Sequence, residues 1–147
     1  MPILEIRFQV AGKPVPEGST RAFPVKGKAR AVVVHSNHKE LMPWRDRIAY
    51  FCREAMLGVE WPKDQAYQIY VEFCFLRPKS HLTKKGNPSS NYRKFHTSRP
   101  DLDKLLRAIG DALKGIVFND DSQVTFWMAD KIYDTWEGVK VRIETMR

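Results

Sequence analysis

The sequence predicts an α+β domain: a mixed, mostly antiparallel sheet of about five or six strands with two main helices packed on it. Two observations carry this. Apolar and polar residues alternate with period two in separated stretches, which marks half-buried strands, and a period near 3.6 returns in two others, which marks amphipathic helices. The 147 residues suit one domain spanning positions 1–147, because a chain of this length and ordinary composition needs no second core.

From Ile3 to Val10 the apolar Leu4, Ile6, Phe8 and Val10 alternate with Glu5, Arg7 and Gln9, which predicts the first strand. Ala11 to Arg30 is rich in Gly, Pro, Lys and Arg and reads as an irregular basic loop. Ala31 to His35 is a short β-branched strand. From about His38 to Leu57, Trp44, Ile48, Phe51 and Ala55 fall at spacings of four and three, so a helix is expected that stops at Gly58. Pro43 argues that its regular part begins there, with proline in the first turn. Tyr67 to Leu76 alternates again as a second confident strand, followed by a patternless stretch from Arg77 to Arg99 whose tip, Lys84-Lys85-Gly86-Asn87, is expected to be disordered without a ligand. Beyond Pro100, Leu102, Leu105, Leu106, Ile109 and Leu113 form one apolar stripe, and Gly115 ends the helix. Ile116 to Phe118 reads as a short strand, Asn119-Asp120-Asp121 as a turn, Gln123 to Tyr133 as a further strand, and Val139, Val141 and Ile143 as the last one.

Charge is unevenly spread along the chain. The total is +8, yet residues 77–99 alone carry seven basic and no acidic side chains, while the segment after them is net negative. A positive arm beside an acidic pocket fits a polyanion held by the arm and a metal held by the pocket. In the arm, Lys79, Lys84, Lys85, Arg93, Lys94 and Arg99 are candidates to neutralise phosphates, joined by Lys104 on the next helix, and Tyr92 or Phe95 can stack on an unpaired base. Cys52 and Cys74 are too few for a disulfide framework or a zinc site. The N-terminus lacks a basic region followed by a long apolar run, so a cytoplasmic protein without a membrane partner is expected.

Five aspartates crowd one helix-and-turn unit: Asp101, Asp103, Asp111, Asp120 and Asp121. Unscreened carboxylates held close repel one another, so a divalent cation is expected among them. Singly, each has a bland reading. Asp101 or Asp103 can cap the helix, Asp120 and Asp121 can serve the turn, and Asp111 can offset Arg107 or Lys114 on the exposed face. Asp103 and Arg107, one turn apart, can also pair. The stronger case is joint: the helix and the return strand are consecutive and pack as neighbours, which can bring Asp120 or Asp121 toward Asp101 and Asp103. Carboxylate oxygens with open positions suit Mg²⁺, or Mn²⁺.

The run Arg99-Pro100-Asp101-Leu102-Asp103-Lys104-Leu105-Leu106-Arg107-Ala108-Ile109-Gly110-Asp111-Ala112-Leu113-Lys114-Gly115, followed by Asn119-Asp120-Asp121-Ser122-Gln123-Val124, resembles the signature of the RusA family of Holliday junction resolvases. Gly12-Lys13-Pro14-Val15-Pro16 is similar to the family's opening. The resemblance implies a homodimer, often of phage or prophage origin, that binds four-way DNA junctions in recombination and repair and cuts two strands of like polarity with Mg²⁺. It also implies that Asp101, Asp103 and Asp121 are the essential acids, with Asp120 beside them as a further candidate ligand. Arg107 stands where the family often has a catalytic lysine. Arginine keeps the positive charge for a phosphate but does not readily give up a proton, and Lys104 and Lys114 are nearby amines.

The implied chemistry is metal-assisted phosphodiester hydrolysis, with the acids holding one or two ions and Arg107 offsetting charge on the phosphate. His35, His38, His81 and His96 show no triad or ligand spacing and are expected at the surface. Two other readings remain open. One is a branched-DNA-binding module without nuclease activity; the other is a sugar-nucleotide transferase, whose Asp-x-Asp pair also grips a metal, although the chain is short for two subsites.

Overall fold

The computed structural model describes residues 2–18, 20–24, 26–27, 31–35 and 37–146. It is an α+β fold. Its main sheet has four strands: β1 (Glu5–Ala11), β4 (Ala66–Leu76), β5 (Val124–Asp134) and β6 (Gly138–Met146), in the order β1-β6-β4-β5. Neighbours β1/β6 and β6/β4 are antiparallel and β4/β5 is parallel, so the sheet is mixed and mostly antiparallel, as expected.

The strand count in that sheet is lower than the expected five or six, for two reasons. Thr20–Pro24 (β2), inside the stretch read as irregular loop, pairs with Ala31–His35 (β3) in a separate two-stranded ribbon. Positions 19, 25 and 28–30 of that predicted loop lie outside the described residues. The predicted strand Ile116–Phe118 is instead a buried turn: the N–H groups of Ile116 and Val117 both reach the Leu113 carbonyl, and only an isolated bridge joins Lys114 to Phe118.

Two α-helices cover one face of the sheet. Helix α1 (His38–Ala55) begins five residues before Pro43, which sits inside it rather than at its start. Asn37 sets that start: its carbonyl accepts from the Glu40 and Leu41 N–H groups, and its side chain donates to the Pro16 carbonyl at 2.8 Å. The buried stripe is Leu41, Trp44, Ile48 and Cys52, and Phe51 faces outward, contrary to expectation. Helix α2 (Leu102–Leu113) buries Leu105, Ala108, Ile109, Ala112 and Leu113 at helical spacing. These meet Ile69, Val71, Phe73, Val139, Val141 and Ile143 from the sheet in one core.

Parallel pairing of β4 and β5 follows from the crossover between them. Strand β4 is left through the arm and α2, which crosses the sheet face and delivers the chain back to the starting end for β5. At the opposite edge of the core Gly138 opens β6, where an added Cβ would lie 2.3 Å from the Val10 carbonyl oxygen and 2.4 Å from the Trp136 ring. We expect Gly138→Ala to cost about 1–3 kcal/mol, the usual range for overpacking a filled site, measurable as a shift of the urea midpoint without a change in slope.

Candidate active site

Three regions meet around α2: its N-terminus, the arm that precedes it, and the turn that follows it. At the N-terminus Asp101 has extended backbone and is the residue before the first helical turn, yet its carboxylate makes no capping hydrogen bond. The capping role that would make it purely structural is therefore not in use. Lys104 Nζ lies 4.0 Å from it, and Asp103, in the first turn, is exposed beside it. The exposed acids and the positive end of the helix dipole share this place.

Arg107 does not pair with Asp103. Its Nε lies 3.5 Å from the carboxylate of Glu17, a buried residue whose N–H donates to the Lys104 carbonyl. Glu17 thus ties the Pro-rich segment 13–18 to α2 and turns one edge of the guanidinium inward, leaving most of the Arg107 side chain exposed. Nothing in the sequence pattern joins Glu17 to α2. A cleft of about 670 Å³ opens here, lined among others by Lys13, Glu17, Arg99, Asp101 and Lys104.

The arm is folded, including the tip expected to be disordered. The Leu82–Pro88 bridge and the Thr83 N–H to Asn87 carbonyl bond close the turn. At its base the Arg77 guanidinium lies 4.0 Å over the Tyr92 ring and 5.6 Å from that of Tyr133, and donates to the Arg93 carbonyl. Residues 94–96 then run antiparallel along the outer edge of β5: Tyr133 N–H donates to the Lys94 carbonyl, and His96 N–H to that of Lys131. Lys131 Nζ donates to the carbonyls of Ser98 and Pro100, at 2.8 and 2.7 Å, holding the chain just before Asp101; the Arg99–Pro100 bond is cis. Lys79, Lys84, Lys85, Arg93, Lys94 and Arg99 are all exposed. Arg77 lies over the Tyr92 ring and Lys94 Nζ 5.2 Å from that of Phe95, and of the two aromatics Phe95 is the more exposed.

His81 and His96 are not surface residues. Both are 8% exposed; His96 stacks on Phe75 at 4.0 Å and His81 meets Tyr133 edge-on. The side chain of His35 lies outside the described residues. Burial first, and then the Lys131 ammonium, push the His96 imidazole below its ordinary value of 6.5. Above that value neither the folded nor the unfolded state binds the proton. As pH falls through it, the unfolded chain gains a proton that the folded arm resists, so the packing weakens. Protection of the arm amides, corrected for the intrinsic slowing of exchange in acid, is expected to fall from about pH 7 to about pH 5, and His96→Phe should flatten that dependence.

The turn after α2 separates the roles of its two aspartates. Asp120 Oδ1 accepts from Ser122 N–H at 2.9 Å, while Gln123 Oε1 accepts from the N–H groups of Asn119 and Asp120, forming a capping box. That Ser122 N–H, ahead of its hydroxyl and Asp121, holds the Asp120 carboxyl below the ordinary carboxylate range. Gln123 Nε2 also donates to the carbonyls of Lys63 and Gln65, which anchors the turn. Asp121 is exposed at its start.

Within one chain the two acidic regions stay apart. Helix α2 has 12 residues, a length of about 18 Å at 1.5 Å per residue. Strand β5 runs back along it: Trp127 packs by Gly110, and Lys131 reaches Pro100. Asp101 and Asp103 therefore lie at one end and Asp120 and Asp121 at the other, too far for one cation whose oxygen ligands sit at about 2.0–2.1 Å. Among the described residues no three His, Cys, Asp or Glu side chains form a group able to hold a metal. Asp111 is half-buried in the last turn of α2.

The family model for endodeoxyribonuclease RusA matches residues 12–144, a span that includes the arm, α2 and the acidic turn. The chain is also similar to the uncharacterized protein YqaN of Bacillus subtilis (strain 168), with 26% identity over 145 residues covering 94% of each chain. No helix among the described residues is long and apolar enough to cross a membrane.

Proposed function

The chain belongs to the RusA endodeoxyribonuclease family, and on that premise we propose that it is a Mg²⁺-dependent, structure-selective endonuclease that resolves four-way DNA junctions as a homodimer. One observation carries the reading: within the family match, Asp101 and Asp103 stand exposed at the start of α2, and Asp101 is not spent on a cap. Hard carboxylate oxygens of this kind suit Mg²⁺ or Mn²⁺. One chain offers only two at that end, so each site is completed by Asp121, with Asp120 beside it, from a second copy. A two-fold dimer contains two such sites, as paired cuts on a symmetric junction require.

When bound there, the cation supplies Lewis acidity and a water of lowered pKa. The chain's own residues do the rest. Asp101 and Asp103 would hold that cation, and Arg107, steadied by Glu17, offers its outward N–H groups to the phosphate oxygens as charge grows on them. Lys79, Lys84, Lys85, Arg93, Lys94, Arg99 and Lys104 neutralise the DNA backbone, and the folded arm spaces them. The role follows as resolution of recombination and repair intermediates.

The test is cleavage of synthetic four-way junctions against linear duplex, with Mg²⁺ and with chelator. Paired, Mg²⁺-dependent nicks in the junction are expected. A branched-DNA-binding module without nuclease activity is favoured by a different observation, the separation of the two acidic regions within one chain. That reading yields retarded junctions and no products.

A further inference from the structure

We infer that Lys131 is a positioning residue of the proposed metal site: its ammonium fixes the Pro100 carbonyl and, through it, the direction in which the Asp101 carboxylate is presented. The inference rests on the nuclease reading, since it concerns how one acid of that site is aimed.

Lys131 stands where the strand pattern calls for an apolar side chain. Alternate residues of β5 share a face, and its neighbours on that face, Trp127, Ala129 and Tyr133, pack against the core. A half-buried ammonium in this row gives up part of its water, and among the described residues it forms no ion pair with a carboxylate. Backbone oxygens meet its charge instead. Nζ donates to the carbonyls of Ser98 and Pro100 at 2.8 and 2.7 Å, the short distances of charge-assisted hydrogen bonds. Its own carbonyl accepts from His96 N–H at 3.0 Å. One residue thus holds positions 96, 98 and 100 of the strap that leads into α2.

Asp101 is the next residue. A peptide unit is planar, so a bond to the Pro100 carbonyl orients the plane that carries the Asp101 N–H. On the other side, the Asp101 carbonyl accepts from Leu105 N–H at 3.1 Å. With both flanking planes held, the Asp101 backbone stays at φ −72° and ψ 141°, and its Cβ points in one direction. Little else aims the side chain: the carboxylate makes no capping bond, and Lys104 is an exposed contact at 4.0 Å. The Leu105 bond is one that any helix makes, whereas the Lys131 bond reaches across from another element. Without the ammonium the carboxylate remains but is loosely aimed, the kind of loss that lowers metal affinity without removing a ligand.

The test uses the full chain and Mn²⁺ as the probe. Binding is followed by the paramagnetic resonance signal of the free ion, without DNA, and cutting by single-turnover cleavage of a four-way junction. Lys131→Met, which suits the apolar row and removes the charge, should raise the Mn²⁺ needed for half-occupancy and for half-maximal cutting by roughly 10- to 100-fold. The rate at saturating Mn²⁺ should return close to native. Lys131→Arg should recover part of the affinity, and serves alone if the Met variant does not fold. In the metal-free protein the Asp101 amide nitrogen, which shares a peptide with the Pro100 carbonyl, should change its resonance in Lys131→Met. Arg77→Met, which frees the base of the arm but removes no bond to Ser98 or Pro100, should leave the Mn²⁺ requirement as it is. A requirement unmoved by both Lys131 variants, or raised equally by Arg77→Met, overturns the role of Lys131, while cutting by the native chain keeps the nuclease reading intact. A native chain that neither binds Mn²⁺ nor cuts sinks that reading, and the role of Lys131 with it.

Discussion

Asp101→Asn and Asp103→Asn are each expected to abolish Mg²⁺-dependent junction cutting while leaving junction binding in place. Each removes one charged oxygen donor from a site that has two per chain at this end. The loss should reach roughly 10³-fold or more, above the 10–100-fold typical of groups that only orient metal ligands. Stability should hardly move. Both acids are exposed and Asp101 makes no cap hydrogen bond, so the cost is limited to a helix-dipole contribution of about 0.3–1 kcal/mol. At the other end of α2, Asp121→Asn should match them. Asp120→Asn should retain most cutting, because Asn accepts the Ser122 N–H bond equally well. Single-turnover cleavage with gel-shift binding on the same junction separates these outcomes, and equal losses at Asp120 and Asp121 would contradict the division of roles in the turn.

Arg107→Ala should lower the single-turnover rate by roughly 10²-fold, the scale of losing one preorganised partner of a developing negative charge, with little effect on junction affinity. Arg107→Lys should recover part of it, since charge returns without the planar fork. The Glu17 carboxylate adds a second check. It lies 3.5 Å from Arg107 Nε and is buried, so removing Arg107 also leaves a buried acid without that partner and should cost stability that Arg107→Lys restores in part. A rate loss equal in both variants would mean that the guanidinium geometry matters more than its charge.

Much of the fold was legible because its signals are local. Alternation in β1, β4, β5 and β6 and the stripe Leu105, Ile109 and Leu113 in α2 report one-sided burial within a few residues. What failed depends on distant partners. β2 has little alternation of its own and forms by pairing with β3. His81 and His96 look like loop histidines until Phe75 and Tyr133, from separate strands, are set beside them. The same limit applies to the candidate site. The Asp-x-Asp motif and the acidic turn were visible, and Gln123 was part of the recognised pattern, yet its hydrogen bonds to Lys63 and Gln65 required the folded chain. That α2 would hold the two acidic regions about 18 Å apart could be calculated from its 12 residues. Sequence proximity nevertheless suggested convergence, because the direction in which β5 returns was not legible.

Mixing two inactive variants tests the shared site most directly. Asp101→Asn protein and Asp121→Asn protein, each unable to cut alone, are combined, allowed to exchange subunits, and assayed on a four-way junction with Mg²⁺. In a mixed dimer one site collects both substitutions and the other collects none. Random exchange should therefore restore about a quarter of the native sites, seen as nicking of one strand per junction. If the mixture cuts no better than either variant alone although mass measurements show mixed dimers, the acids at the two ends of α2 do not join across the pair.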